Sequence, residues 1–429
     1  MRVARSVIVK LFALIAVASI VAGCGSGGFI ISKPVHVRTF NALVDGGQVT
    51  VTIGDDTLAA GLPFEGMTGY VDVDAGSQEI KVNVGASTIV DNVQLLIDNT
   101  KYTYLIYGTS AGPQAQFLAD TAVTPNGGES ALIVANAAFG SNGFDVYVTT
   151  PGASLDNMSP NFSNVPYTTV TGTATLASGT YQIRATLPNS KQVIYDGGTV
   201  TLQERTVYYV VLYTRGSTTL LNGALLAQDS AGTGSIVNSR LAQFKVAHAA
   251  PDTPPVNALV DGTPAFFSIP YQNTTSYQPL SAGTHTITFE AVTSPGAAIA
   301  STQPTFQPAT DSSVFVTGLA GSQTAVVLSD NNLSGSAGTA RLRFVNAATN
   351  VGPVDVLINF ARRVTALGTN QASAYSELVE DAYTIDFVTP GTSTSLLTMS
   401  GVSLTAARTY TLYLMGTPGH LVGVLSRDD

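Results

Sequence analysis

One spacing recurs along this chain and sets how it must be parsed. Asn41 and Ile80, His248 and Ile287, and Asn346 and Ile385 all lie 39 positions apart. Asn136 and Ile183 lie 47 apart, and the excess of 8 falls in the Ser-, Asn- and Pro-rich stretch 157–167. The text around the four polar residues is alike: VRTFNALVDGGQVTVTI, LIVANAAFGSNGFDVYV, FKVAHAAPDTPPVNALV and LRFVNAATNVGPVDVLI. Each has an apolar run, the polar residue, a short Gly- or Pro-containing loop and a second alternating run. Later in each copy come an aromatic strand (Tyr102 to Tyr107, Val207 to Tyr213, Val314 to Val316, Tyr410 to Leu414) and a closing strand that runs into Asp120, Asp229, Asp330 or Asp428. A period near 100 residues is too long for a solenoid turn and suits domains in tandem.

The most visible identity is misleading. NALVDG occurs at Asn41 and again at Asn257. In the common register the first copy ends a strand. The second begins the following strand, in the slot held elsewhere by Thr50, Asp145 and Asp355, with its side chain expected on the polar, outward phase.

Within a copy, apolar residues alternate over short runs broken by turn residues such as Asp45-Gly46 and Asp261-Gly262. No helix-length amphipathic run appears. The reading is all-β: four tandem antiparallel β-sandwich domains, immunoglobulin-like in outline, with a transthyretin-like arrangement equally compatible with the pattern. The boundaries are 35–125, 126–238, 239–336 and 337–429, with few contacts expected to cross near 125–130, 233–240 and 333–339.

Only 11% of residues are charged, and the formal net charge is −9, so no basic footprint exists for nucleic acid. Trp is absent, which weakens sugar stacking except through Tyr. The single cysteine is Cys24. Arg2, Arg5 and Lys10 precede an apolar run, 11–21, too short for a comfortable membrane span, and Val21-Ala22-Gly23-Cys24 follows. This resembles the lipobox of bacterial lipoproteins. The resemblance implies a signal peptide at 1–23 cut between Gly23 and Cys24, diacylglycerol and palmitate-type acylation of Cys24, and a short lipidated tether at 24–34. Gly25 after the Cys implies, by the same resemblance, the outer membrane, with periplasmic and surface sides both open. Several acyl chains make a stable anchor.

His248-Ala-Ala-Pro-Asp252, Val256 to Gly262, Leu280-Ser-Ala-Gly283 and Val327-Leu-Ser-Asp330 resemble the bacterial domain-of-unknown-function family 4397. The third and fourth copies match best. The second lacks the Pro-Asp loop, and the first is the most divergent. The resemblance implies an extracytoplasmic, often lipid-anchored tandem β-protein, and carries no catalytic residues.

Gly108-Thr-Ser110-Ala-Gly112 satisfies G-x-S-x-G, but a nucleophile elbow needs a following helix. Here the repeat places a hairpin turn, so Ser110 is read as a turn residue and a serine hydrolase as the lesser alternative. His36, His248, His285 and His420 have no zinc spacing, and no metal or cofactor is expected. Asp72-Val-Asp74 and 329–332 read as solvated turns rather than calcium loops. Asn41, Asn136, His248 and Asn346 fall in phase with apolar residues, so they are expected to bond the following loop; the functional reading makes that loop a ligand rim. The expected function is a non-enzymatic, outer-membrane-anchored structural or binding component, its partner an envelope protein or a glycan. The alternative is a carbohydrate-binding or adhesin module using loop-tip tyrosines.

Overall fold

The computed structural model describes residues 34–120, 124–215, 220–232 and 234–428. Gly23 and Cys24 lie outside them. The first repeat supplies eight strands: β1 (Val35–Leu43), β2 (Val49–Ile53), β3 (Asp56–Leu62), β4 (Val71–Val73), β5 (Gly76–Val84), β6 (Ser87–Leu96), β7 (Lys101–Thr109) and β8 (Gly112–Ala119). They form two sheets, ordered β4-β1-β7-β8 and β3-β2-β5-β6. The short alternating runs become strands because apolar residues on one phase meet across the two sheets: Val49, Val51, Ile53, Ile80 and Val82 face Val35, Val37, Tyr104 and Ile106 in one buried cluster.

The same order recurs in the other three repeats. The second adds an edge strand, Gly234–Val237, beside the counterpart of β8. The third divides the counterparts of β5 and β6 into shorter pieces. The sandwich is as expected, and the strand order separates the two outlines left open. An immunoglobulin domain keeps its first two strands in one sheet, in an ABED/CFG arrangement. Here β1 and β2 lie in opposite sheets and β1 pairs with β7 in parallel. The immunoglobulin-like outline therefore gives way to the transthyretin-like one.

A second correction concerns contacts between repeats. Residues 33–429 form one compact unit rather than loosely strung beads. Phe40, Leu105 and Tyr107 of the first repeat share a buried cluster with Ile133, Val211 and Tyr213 of the second. Ala247 and Phe315 of the third share another with Val345, Tyr413 and Met415 of the fourth. In each pair the sheets that contain β1 and β7, or their counterparts, lie face to face. This explains the aromatic strands. β7 and its counterparts Val207–Thr214 and Thr409–Thr417 are buried along nearly their whole length, because one face meets their own sandwich and the other the neighbouring repeat.

Candidate functional site

The four polar slots prove to be the same staple built four times. Asn346 is fully buried; its Nδ2 donates to the carbonyls of Gly352 (2.9 Å) and Leu367 (3.1 Å), while its Oδ1 accepts from Ala348 N. Asn41 makes the corresponding bonds to Gly47 O, Leu62 O and Leu43 N. Asn136 uses Ser141 Oγ, Val165 O and Ala138 N. In His248 the ring substitutes, with Nδ1 accepting from Ala250 N and Nε2 facing Pro254 O at 3.1 Å. Burial lowers the His248 pKa, which favours the neutral ring this role needs. The side chains thus tie the end of the first strand of each repeat to loops that follow it, and their polar atoms are engaged within the chain.

The register that separates the two NALVDG copies is visible at the atoms. Asn257 is half-buried and accepts from Ser268 N at 2.8 Å. Asp145, Asp355 and Thr50 accept likewise from Asn164 N, Ala366 N and Gly61 N. The four donors all have positive φ, between 45° and 62°, at bulges where β3 or its counterpart pairs irregularly with β2 or its counterpart. The Asn257 side chain is therefore not merely an outward polar group; it holds a bulge.

Two of the aspartates that close the repeats meet partners from the neighbouring repeat. Asp330 and Asp428 are buried between the third and fourth repeats. Asp330 accepts from its own repeat's Tyr277 Oη (2.5 Å) and Ser313 Oγ (2.7 Å), and is ion-paired to Arg343 of the fourth repeat. Asp428 accepts from its own Tyr375 Oη (3.1 Å) and Thr411 Oγ1, and is ion-paired to Lys245 of the third. The exchange is reciprocal, as an isologous contact between two copies of one module requires. Each cation also lies over its own repeat's tyrosine, Lys245 at 5.2 Å from the Tyr277 ring and Arg343 at 4.8 Å from Tyr375. Burial works against the charge on Lys245, but Asp428, Tyr413 and Asp330 outweigh it and raise its pKa. Within 329–332, Asp330 and Asn332 accordingly belong to a buried network rather than a solvated turn, while Ser329 and Asn331 stay exposed.

The first pair carries half of this device. Arg38 stands where Lys245 and Arg343 stand, donating from Nε to Thr103 Oγ1 (2.8 Å) and from Nη1 to Ala227 O of the second repeat (2.6 Å). The second repeat has Ile133 at that position, opposite Tyr209. Asp120 is bonded instead by Tyr70 and Thr103 of its own repeat, and burial raises its pKa despite them. Glu65 adds a different tie, accepting from Tyr213 Oη (3.0 Å) and Asn222 Nδ2 (2.9 Å) and pairing with Arg215 (3.0 Å).

Two of the clefts that lie between repeats bear on these residues. One, of about 320 Å³, runs between Arg215, Leu220, Leu221 and Asn222 of the second repeat and Asp311 and Asp330 of the third. Asp311 accepts from Gln243 Nε2 at 2.7 Å, and burial pushes its carboxyl up to about 7. The other, of about 520 Å³, places the loop after Asn41 opposite residues 333–337.

Ser110 sits in the two-residue turn between β7 and β8, and no helix follows. Its Oγ donates to Asp45 Oδ2 at 2.7 Å and its N–H to Asp45 Oδ1 at 2.5 Å. Gly108 of the same motif has φ +88°, and the equivalent Gly318 and Gly416 have φ +101° and +109° with no Ser two residues on. The glycine is there for the hairpin backbone. His36 faces Asp72 at 2.5 Å and His285 faces Asp261 at 2.7 Å, both at the surface. Among the described residues, no three His, Cys, Asp or Glu side chains come together as a metal site.

A family model described as "Domain of unknown function (DUF4397)" matches residues 35–147, 242–357 and 345–429, and the chain belongs to that family. The two longer matches run through one repeat and into the first two strands of the next. No curated protein matches the chain. Among solved structures, the Bacillus anthracis TIE protein is 9% identical, with 91% of this chain and 76% of that one covered at a TM-score of 0.15. BcpA, the major pilin subunit of Bacillus cereus, is 10% identical, with 68% of this chain and 100% of that one covered at a TM-score of 0.14. Scores this low assign neither shape nor function to this chain.

Proposed function

We propose that the chain is a non-enzymatic lipoprotein of the cell envelope, held at the outer membrane through acylated Cys24 and presenting its paired β-sandwich repeats as a structural or docking body. The observation that carries this reading is where the polar side chains go. The residues most suggestive of chemistry, Ser110, the Asn and His slots and the buried aspartates, are committed to turns, staples and contacts between repeats. The Val21 to Cys24 pattern supports the anchor. The partner is an envelope protein or a glycan. The glycan alternative has less support, because none of the 17 tyrosines is fully exposed for stacking.

Two measurements test the proposal. Metabolic labelling with an alkynyl palmitate should mark the wild type, and Cys24→Ser should lose both the label and detergent-phase partition; retention of either removes the anchor. A fluorophosphonate probe should leave the protein unlabelled. Labelling that disappears in Ser110→Ala would overturn the non-enzymatic reading.

A further inference from the structure

The repeats can be compared with one another slot by slot, and one set of slots breaks the pattern. Strand pairing makes Leu96, Leu202, Phe306 and Leu404 equivalent, each opposite Gly76, Gly179, Gly283 or Asp381. All four point into their cores. The flanking outward positions in the second repeat are Thr199, Thr201 and Gln203; in the third, Gln303, Thr305 and Gln307; in the fourth, Gly401, Ser403 and Thr405. These nine positions are exposed, and none is apolar apart from the glycine. In the first repeat they are Val93, Leu95 and Ile97, exposed at 69%, 62% and 61%.

β6 is an edge strand, so the three side chains form an open stripe about 13 Å long on the outer face of the sheet. Its position gives the occupant. Ile97 N donates to Tyr102 Oη at 3.3 Å, and Thr100 O accepts from His36 N at 3.1 Å, so the stripe ends beside the start of β1. Only 11 residue steps separate Val35 from Cys24, a reach of at most about 40 Å. Among these equivalent slots, the apolar set lies on the repeat that an acylated Cys24 would hold against lipid.

We infer that the Val93-Leu95-Ile97 stripe seats the first repeat on the bilayer surface, fixing its orientation where the acyl chains alone would leave it free to swivel. The inference rests on the anchored reading above. Apolar side chains that enter the headgroup boundary gain from burial, whereas Thr and Gln in the same slots would not.

The absence of Trp allows a direct test on the full chain, extracted from membranes and reconstituted into phosphatidylethanolamine–phosphatidylglycerol vesicles. Single reporters are placed at equivalent slots as Leu95→Trp, Thr201→Trp and Ser403→Trp. Flotation first reports whether the protein is anchored. In floating protein, the reporter at position 95 should blue-shift and be quenched by lipids brominated on their acyl chains, while those at 201 and 403 remain water-like. Replacing Val93 and Ile97 by Thr and Gln should reduce the shift at 95. Floating protein whose position 95 resembles 201 would overturn the seating and leave the anchor intact. Protein that does not float removes the anchor, and the seating with it. A blue shift at 95 without vesicles, growing with protein concentration, would instead assign the stripe to a second copy and also overturn the inference.

Discussion

Asn346 spends both amide hydrogens on backbone carbonyls and its oxygen on a backbone N–H, all within its own repeat. Asn346→Ala leaves those buried groups unpaired and should cost about 1–3 kcal/mol. Asn257 supports a single bulge amide from a half-buried position, so Asn257→Ala should cost about 0.5–1.5 kcal/mol. Urea melts of the two full-length variants compare them, and equal losses would mean that the two hexamers play equivalent parts. Asp311 adds a pH dependence of known sign. Its folded-state carboxyl lies near 7 against an ordinary 3.8, chiefly through burial, with Gln243 opposing and Asp330 adding. The native state therefore holds that proton more tightly than the unfolded chain, and stability is lost as pH rises from about 4 to 7. Asp311→Asn keeps the acceptor for Gln243 and should gain on the wild type over that window, reaching on the order of 1–4 kcal/mol at pH 8. A difference that does not vary between pH 4 and 8 would contradict the assignment. The polar slots were legible in the sequence because their phase among apolar residues marks buried amides. The bonding of Asn257 was not, because a bulge on the paired strand leaves no mark on the strand that supports it.

At the scale of elements, the aromatic strands are covered on both faces. Val207 to Tyr213 is apolar on both phases, which a sheet with one wet face does not tolerate, and the second face is covered by the first repeat. The closing aspartates were visible as a recurrent feature. Their cations were visible too, since Arg38, Lys245 and Arg343 each precede the polar slot by three residues inside apolar strands. What one strand cannot reveal is that the partner lies in another repeat. Removing one member of such a pair strands a buried charge, so Lys245→Met should cost about 3–5 kcal/mol. Adding Asp428→Leu should recover part of that loss, because the ion pair is repaid little beyond its desolvation while Tyr375 and Thr411 lose their acceptor. A double variant as unstable as the sum of the singles would mean that Lys245 and Asp428 do not act on each other.

For the molecule as a whole, the structure makes the working module a pair of repeats. The reciprocal ion pairs of the third and fourth repeats make the pairing specific, because each carries the cation for the other's aspartate. The first two are joined by Arg38 and by the Glu65 cluster instead, and Ile133 explains why reciprocity fails there. The repeat length and the four copies were legible in the sequence, since spacing survives in one dimension. The face-to-face packing was not, since it depends on which outer face of a sandwich is dry. The most direct test is calorimetry on residues 239–429 beside residues 337–429 alone. The paired fragment should melt in one cooperative transition, and the lone repeat, with Arg343, Asp428 and Tyr413 newly exposed to water, should melt well below it or fail to fold. Two identical melting temperatures would show that the repeats are independent beads and that the reciprocal interface contributes nothing to the fold.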